Sequence, residues 1–145
     1  MKKFAYSLQR ILTLREKREE MLRQEMSRLM FKRNQHDHVK FYLETKLKDD
    51  YEKQRAKTSF TSIDRIQQDH HSSEIRGQIY HQNILIQEYA TKIETKRLEI
   101  LENRKAIKTL ERLKERKWEQ YQYDVFIDER KTMDEIANRL VAISR

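Results

Sequence analysis

The chain of 145 residues has no proline, no cysteine and a single glycine, Gly77. Proline and glycine mark most turns, so their scarcity excludes a fold built from many short elements and favours long helices. The lack of cysteine excludes disulfides and thiol chemistry, as is typical of a reducing cytoplasm. No apolar run approaches the ~20 residues of a membrane span. We therefore expect a soluble intracellular protein without direct membrane insertion.

The chain is rich in charged residues. Charged residues make up 39% of the chain and hydrophobic residues 37%. A chain this polar cannot bury the apolar surface that a wide core requires. The composition predicts an all-α fold, in which two long helices share one narrow seam as an antiparallel coiled-coil hairpin.

The first helix carries an interrupted heptad pattern. Four leucines share one register, in which Arg15 and His36 are the interruptions: Leu8, Leu22, Leu29 and Leu43. Leu12, Met26 and Leu47 follow three of these leucines by four residues, which is the alternating spacing of facing core positions. Arg33 and Lys40 occupy further core positions, so we expect a weak seam in the middle of this helix.

The second helix carries a stricter repeat. Isoleucine recurs every seven residues at Ile79, Ile86, Ile93, Ile100 and Ile107. Such a repeat implies a left-handed supercoil and predicts that these five side chains face the first helix. From Leu110 onward the apolar set becomes wider. It includes Leu113, Trp118, Tyr121, Val125, Phe126, Ile127, Met133, Ile136 and Leu140.

The turn between the helices is predicted from a cluster of hydroxyl residues around Thr58 and Ser62. Thr61 and Asp64 have the spacing of a capping box that starts a helix. We predict one coiled-coil unit over residues 1–145, with helix 1 over about 3–57, the hinge at about 58–63 and helix 2 over about 64–142. Gly77 is a second candidate for a bend.

The net charge of +8 is unevenly distributed. Residues 104–117 contain seven basic and two acidic residues, whereas residues 119–135 contain six acidic and two basic residues. Each run alone is usually a solvated helix face. Together they can also steer association with a charged partner.

The residues that catalysis and cofactor binding need are missing. One glycine cannot form a phosphate-binding loop, and no nucleophile–base constellation is recognisable. Of the five histidines, His36 and His38 are two apart and His70 and His71 are adjacent, so neither pair shares a helix face for metal binding. We expect no enzyme activity, no cofactor and no metal. Nucleic-acid binding is not expected either, because acids and bases alternate along most of the chain.

Two segments of the chain resemble the FliJ family of flagellar export proteins. Residues 4–15, from Phe4 to Arg15, are similar to the family's opening, an aromatic pair followed by Leu-x-x-(Val/Ile)-Leu. Residues 110–116 and 129–137, which contain Met133-Asp134-Glu135-Ile136-Ala137, are similar to its second block.

The resemblance implies a hairpin similar to the central stalk of rotary ATPases. It implies a non-enzymatic role in flagellum biogenesis, as a coupling component of type III protein export that serves motility. The implied partners are the hexameric export ATPase (FliI), the export gate protein FlhA and export chaperones. The implied location is cytoplasmic, peripheral at the inner membrane.

The resemblance also implies two partner-binding surfaces. The end that faces the ATPase is expected to include Phe4, Tyr6, Leu8, Ile11, Arg15, Lys114, Lys117, Trp118, Tyr121, Phe126 and Met133. The gate-binding surface is expected around Val39, Leu43, Tyr51, His71 and Ile75.

Two alternatives remain open. The chain can instead be a cytoplasmic secretion chaperone, whose broken first seam is completed by an export client. It can also be a basic coiled-coil accessory protein of nucleic acids, whose binding would fall steeply with salt.

Overall fold

The computed structural model describes residues 2–144 and confirms the all-α prediction. Helix α1 spans Gln9–Ala56, and helix α2 spans Ser62–Ser144. The two helices pack against each other as a helical hairpin, and the described residues contain no strand. Gly77 lies inside α2 without interrupting it, so the chain does not reverse there.

The turn between the helices covers residues 57–61, slightly before the predicted hinge. Thr61 forms the predicted capping box. The Asp64 backbone N–H donates to Thr61 Oγ1 at 3.2 Å, and the Thr61 N–H donates to Asp64 Oδ2 at 3.4 Å. These two bonds satisfy N–H groups that a helix start leaves unpaired, which explains why α2 begins at Ser62.

Helix α1 starts at Gln9, six residues later than the predicted start at residue 3. Residues 2–6 have no regular structure, and Ser7 and Leu8 form a turn closed by the bond from the Gln9 N–H to the Tyr6 carbonyl, 3.0 Å. Residues 3–8 do not form the predicted helical turns, because the side chains of Phe4 and Tyr6 contact α2 instead.

Burial confirms both heptad patterns. Leu12, Leu22 and Leu43 are buried on α1, while Leu8, Met26, Leu29 and Leu47 are half-buried. On α2, Ile93 and Ile107 are buried and Ile79, Ile86 and Ile100 are half-buried. Few side chains are more than nine-tenths buried between the helices, which indicates a narrow seam.

Contacts divide the chain into two compact units, where the sequence analysis treated it as one. The first contains residues 2–20 and 101–144, and the second contains residues 21–100. In each unit the helices are antiparallel, since residue numbers rise on α1 as they fall on α2. In unit 1, Gln9 pairs with Lys114 and Glu19 with Arg104. In unit 2, Glu25 pairs with Lys96 and Asp50 with His71.

Candidate partner-binding surface

In unit 1 the non-helical N-terminal segment, residues 2–8, is attached to α2 through its backbone and its aromatic side chains. The Tyr121 hydroxyl donates to the Lys2 carbonyl at 2.9 Å, and the Tyr6 hydroxyl donates to the Leu110 carbonyl at 2.8 Å. Each such bond contributes about 1 kcal/mol net. The segment therefore has a defined position along α2.

An aromatic cluster strengthens this attachment. The Phe4 ring lies 5.0 Å from the Trp118 ring in an edge-to-face arrangement and 5.5 Å from the Tyr121 ring. Trp118 and Tyr121, three residues apart on α2, stack at 5.6 Å. Aromatic pairs of this kind contribute about 0.5–1.5 kcal/mol beyond their buried area. Phe4 thus fixes the same point of α2 that the Tyr121 hydroxyl binds.

Polar contacts continue the pairing along α1. Asn103 is 3% exposed, and its Nδ2 donates to the Arg15 carbonyl at 2.8 Å. Lys114 Nζ donates to Gln9 Oε1 at 2.7 Å, and Arg104 pairs with Glu19 at 3.3 Å. All of these contacts lie within unit 1.

Beyond Tyr121, α2 continues without a hydrogen bond or ring contact to the N-terminal segment among residues 2–144. We call residues 122–144 the α2 extension. Every residue from 128 to 144 is exposed. Val125 and Ile127 are half-buried. Seven large apolar side chains of the extension are exposed by between 48% and 81%: Tyr123, Phe126, Met133, Ile136, Leu140, Val141 and Ile143.

Five of these seven exposed apolar residues form a seam of their own. Phe126, Met133 and Leu140 recur every seven residues, and Ile136 and Ile143 follow two of them by three residues. This is the pattern of core positions in a coiled coil. It is out of register with the isoleucine repeat, whose continuation falls on the polar Asp128 and Glu135. The α2 extension therefore has an apolar face without a partner among the described residues.

The sequence-predicted ATPase-end residues are brought together in part. Phe4, Tyr6, Leu8, Lys114 and Tyr121 are half-buried in the pairing of the N-terminal segment with α2. The exposed members are Ile11, Arg15, Lys117, Trp118, Phe126 and Met133. Lys114 is engaged with Gln9, so Lys117 is the better residue of the two for contacting a partner.

The gate-binding candidates lie in unit 2 and differ in accessibility. Leu43 is 8% exposed and Ile75 is 3% exposed, so both belong to the seam between the helices. His71 Nε2 lies 3.1 Å from Asp50 Oδ2, and Tyr51 is half-buried with the Arg76 guanidinium 5.7 Å from its ring centre. Only Val39, at 43% exposure, presents its side chain openly.

His36 takes a core position of the leucine repeat on α1 and is half-buried in unit 2. Its ring stacks on Tyr89 at 5.5 Å, and its Nδ1 lies 2.8 Å from Gln82 Oε1. Elsewhere in unit 2, Lys96 Nζ pairs with Glu25 Oε2 at 2.7 Å. The hydrogen bond that Lys96 donates to Glu25 raises the pKa of Lys96, and the Glu25 charge adds to the effect, against the partial loss of solvation.

Sequence analysis missed exposed aromatic side chains on α1. Phe31, Phe41 and Tyr42 are 63%, 70% and 64% exposed. Phe31 and Tyr42 lie eleven residues apart, about three helical turns, and share one helix face, which is the signal that could have revealed them, whereas the adjacent Phe41 points to another side. A shallow groove lies beside Phe31, between Leu29 and Lys96.

No protein-family model, curated protein or solved structure matches this chain. Within residues 2–144, neither helix has a stretch that is long and apolar enough to cross a membrane. The same residues contain no group of three or more histidine, aspartate or glutamate side chains placed to hold a metal ion.

Proposed function

We propose that this protein is a non-enzymatic stalk and coupling component of a bacterial flagellar type III export apparatus. The observation that carries the proposal is the α2 extension, a helix with an exposed apolar seam beside the anchored N-terminal segment. Exposed apolar patches of this extent on a soluble chain typically mark a binding surface. The resemblance of both segments to the FliJ family gives that surface a candidate partner, the hexameric export ATPase.

The chemistry of unit 1 suits insertion into the pore of the hexameric ATPase ring. The basic run at residues 104–117 is followed on the same helix by the acidic run at 119–135. A ring lined with complementary charges would hold such a helix in few axial positions, because each sign must meet its opposite. The Phe126–Met133–Leu140 seam would supply the apolar contacts that give most binding interfaces their affinity.

Contact with the export gate protein FlhA and escort of export chaperones belong to the same proposal. Val39 and the partly covered Tyr51 and His71 are the accessible members of the gate-binding set, whereas Leu43 and Ile75 support the hairpin from inside. The proposed location is the cytoplasmic side of the inner membrane, reached through these partners.

A secretion chaperone is the second candidate, and the exposed pair of Phe31 and Tyr42 on one face of α1 favours it. A client helix could bury these two rings. A one-to-one complex with a flagellar subunit, together with no affinity for the ATPase, would select this alternative.

The experiment that tests the proposal is capture of the purified export ATPase by the immobilised protein at low and at moderate salt. Replacing two exposed basic residues, Arg116→Glu with Lys117→Glu, should weaken capture, and more salt should weaken the wild-type complex. The matched control is Lys46→Glu with Lys48→Glu, the same charge change at exposed positions of unit 2. Equal capture of both double variants at each salt concentration would contradict the role of the basic run.

A further inference from the structure

We propose that the α2 extension, residues 122–144, pairs antiparallel with the α2 extension of a second copy of this chain. The inference does not rest on the proposed function, but it uses the same seam, so the dimer and the ATPase complex exclude each other. It rests on the seam of Phe126, Met133, Ile136, Leu140 and Ile143, all of them exposed in the single chain.

The first argument is that the seam requires a helix. Where one helix packs against another, core residues repeat every seven positions and a second core residue follows each of them by three. This pattern gives six core positions from Phe126 to Ile143, and five of them are apolar. The exposed seam begins just after Tyr121, the last α2 residue that holds the N-terminal segment. The chain thus provides a coiled-coil face where its own α1 no longer covers α2.

The second argument is that the seam is complementary to itself. In an antiparallel pair the two kinds of core position face each other. Phe126 of one copy then faces Ile143 of the second copy, and Met133 faces Ile136. Because the first and last core residues of the seam meet, two identical segments cover each other from end to end and leave no core position unpaired.

The sixth core position decides the direction. Glu129 occupies it, and a parallel dimer would place the two Glu129 carboxylates opposite each other, where like charges repel. The antiparallel arrangement places each Glu129 opposite Leu140 of the second copy and far from the other Glu129. Its stem can cover the leucine while the carboxylate stays in water.

Net charge opposes this pairing only weakly. The α2 extension contains five acidic and three basic residues, a net charge of −2, whereas the run at residues 104–117 contains seven basic and two acidic residues, a net charge of +5. Two extensions therefore repel each other much less than two basic runs would. Three heptads of contact lie at the lower end of stable interface sizes, so the dimer should be concentration-dependent.

The test is the mass of the full-length protein in solution, by light scattering after size exclusion, over a series of concentrations. The mass should rise from the 18.0 kDa of one chain toward twice that value. Met133→Glu places a charge in the middle of the seam and should hold the protein at the mass of one chain. Met133 is 67% exposed, so helix content by circular dichroism should not change.

Val141→Glu is the matched control. Val141 is 54% exposed on the same extension but outside the seam, so this variant should dimerise as the wild type does. A wild-type mass of one chain at every concentration would overturn the proposal. So would a Met133→Glu variant that dimerises like the Val141→Glu control.

Direction is tested by cross-linking, for which the cysteine-free sequence gives a clean background. An oxidised mixture of the single variants Phe126→Cys and Ile143→Cys should form disulfide-linked pairs, because these positions face each other in the antiparallel dimer. Phe126→Cys alone should not. Efficient cross-linking of Phe126→Cys to itself would show a parallel dimer and overturn the proposed arrangement. Since no ATPase is present, failure here leaves the proposed function untouched.

Discussion

Asn103 Nδ2 donates a 2.8 Å hydrogen bond to the backbone carbonyl of Arg15, 88 residues earlier in the chain. Arg15 Nη1 in turn lies 3.4 Å from Asn103 Oδ1. Both polar atoms of a side chain that is 3% exposed are therefore satisfied. Asn103 can reach the Arg15 carbonyl at only one alignment of the two helices. This pair therefore fixes the register of the helices.

Replacing this amide is predicted to destabilise unit 1. Asn103→Asp turns the donor into a carboxylate oxygen facing the Arg15 carbonyl, which should cost about 1–3 kcal/mol. Thermal unfolding followed by circular dichroism measures the loss. Asn138→Asp is the control, because Asn138 is exposed on the α2 extension and should tolerate the same change. Equal midpoints for the two variants would show that the Asn103 bond contributes nothing.

Phe4 is predicted to shield the only tryptophan of the chain. Phe4→Ala removes the ring 5.0 Å from Trp118, so the emission of Trp118 should shift to longer wavelength as water replaces the ring. The loss of aromatic contact should lower the free energy of unfolding by about 1–2 kcal/mol. Phe31→Ala, at a position 63% exposed in unit 2, should leave the emission unchanged. An unshifted spectrum in Phe4→Ala would place the N-terminal segment elsewhere.

Lys96 is predicted to make the stability of unit 2 sensitive to alkaline pH. Its pKa is raised in the folded chain by the hydrogen bond to Glu25. The stabilisation is therefore present below the unfolded pKa of about 10.4 and disappears as pH rises through the higher folded pKa.

Thermal midpoints of Lys96→Gln and Lys105→Gln, measured at neutral and at alkaline pH, test this. Lys105 pairs only within its own helix, with Glu102, and its side chain is 75% exposed. Lys96→Gln should lower the midpoint at neutral pH and show a smaller alkaline decline than the wild type, whereas Lys105→Gln should follow the wild type. The same decline in all three proteins would refute the contribution of Lys96.

Local patterns in the sequence were enough to predict the hairpin, the isoleucine seam and the capping box of Thr61 with Asp64. These features depend on residues a few positions apart. The late start of α1 at Gln9 could not be predicted, because Tyr6 and Phe4 leave the helical pattern to bind residues more than a hundred positions away. The Asn103–Arg15 pair has the same origin: Asn103 looks like an ordinary surface amide until its partner on α1 is known. The seam of the α2 extension is only partly predictable from the sequence. The apolar set widens visibly after Leu110, but the sequence does not show that Phe126, Met133 and Leu140 stay exposed as a separate face.

The most direct test of the proposed function is stimulation of ATP hydrolysis by the purified export ATPase. The full-length protein should stimulate it, whereas a chain truncated after Tyr123 should leave the basal rate unchanged. The truncation removes the seam of Phe126, Met133 and Leu140 but keeps the contacts of residues 2–121, including Phe4 with Trp118. Unchanged Trp118 emission in the truncated chain would show that unit 1 is intact. Full stimulation by that folded, truncated chain, or none by the full-length protein, would contradict the proposed role of the α2 extension.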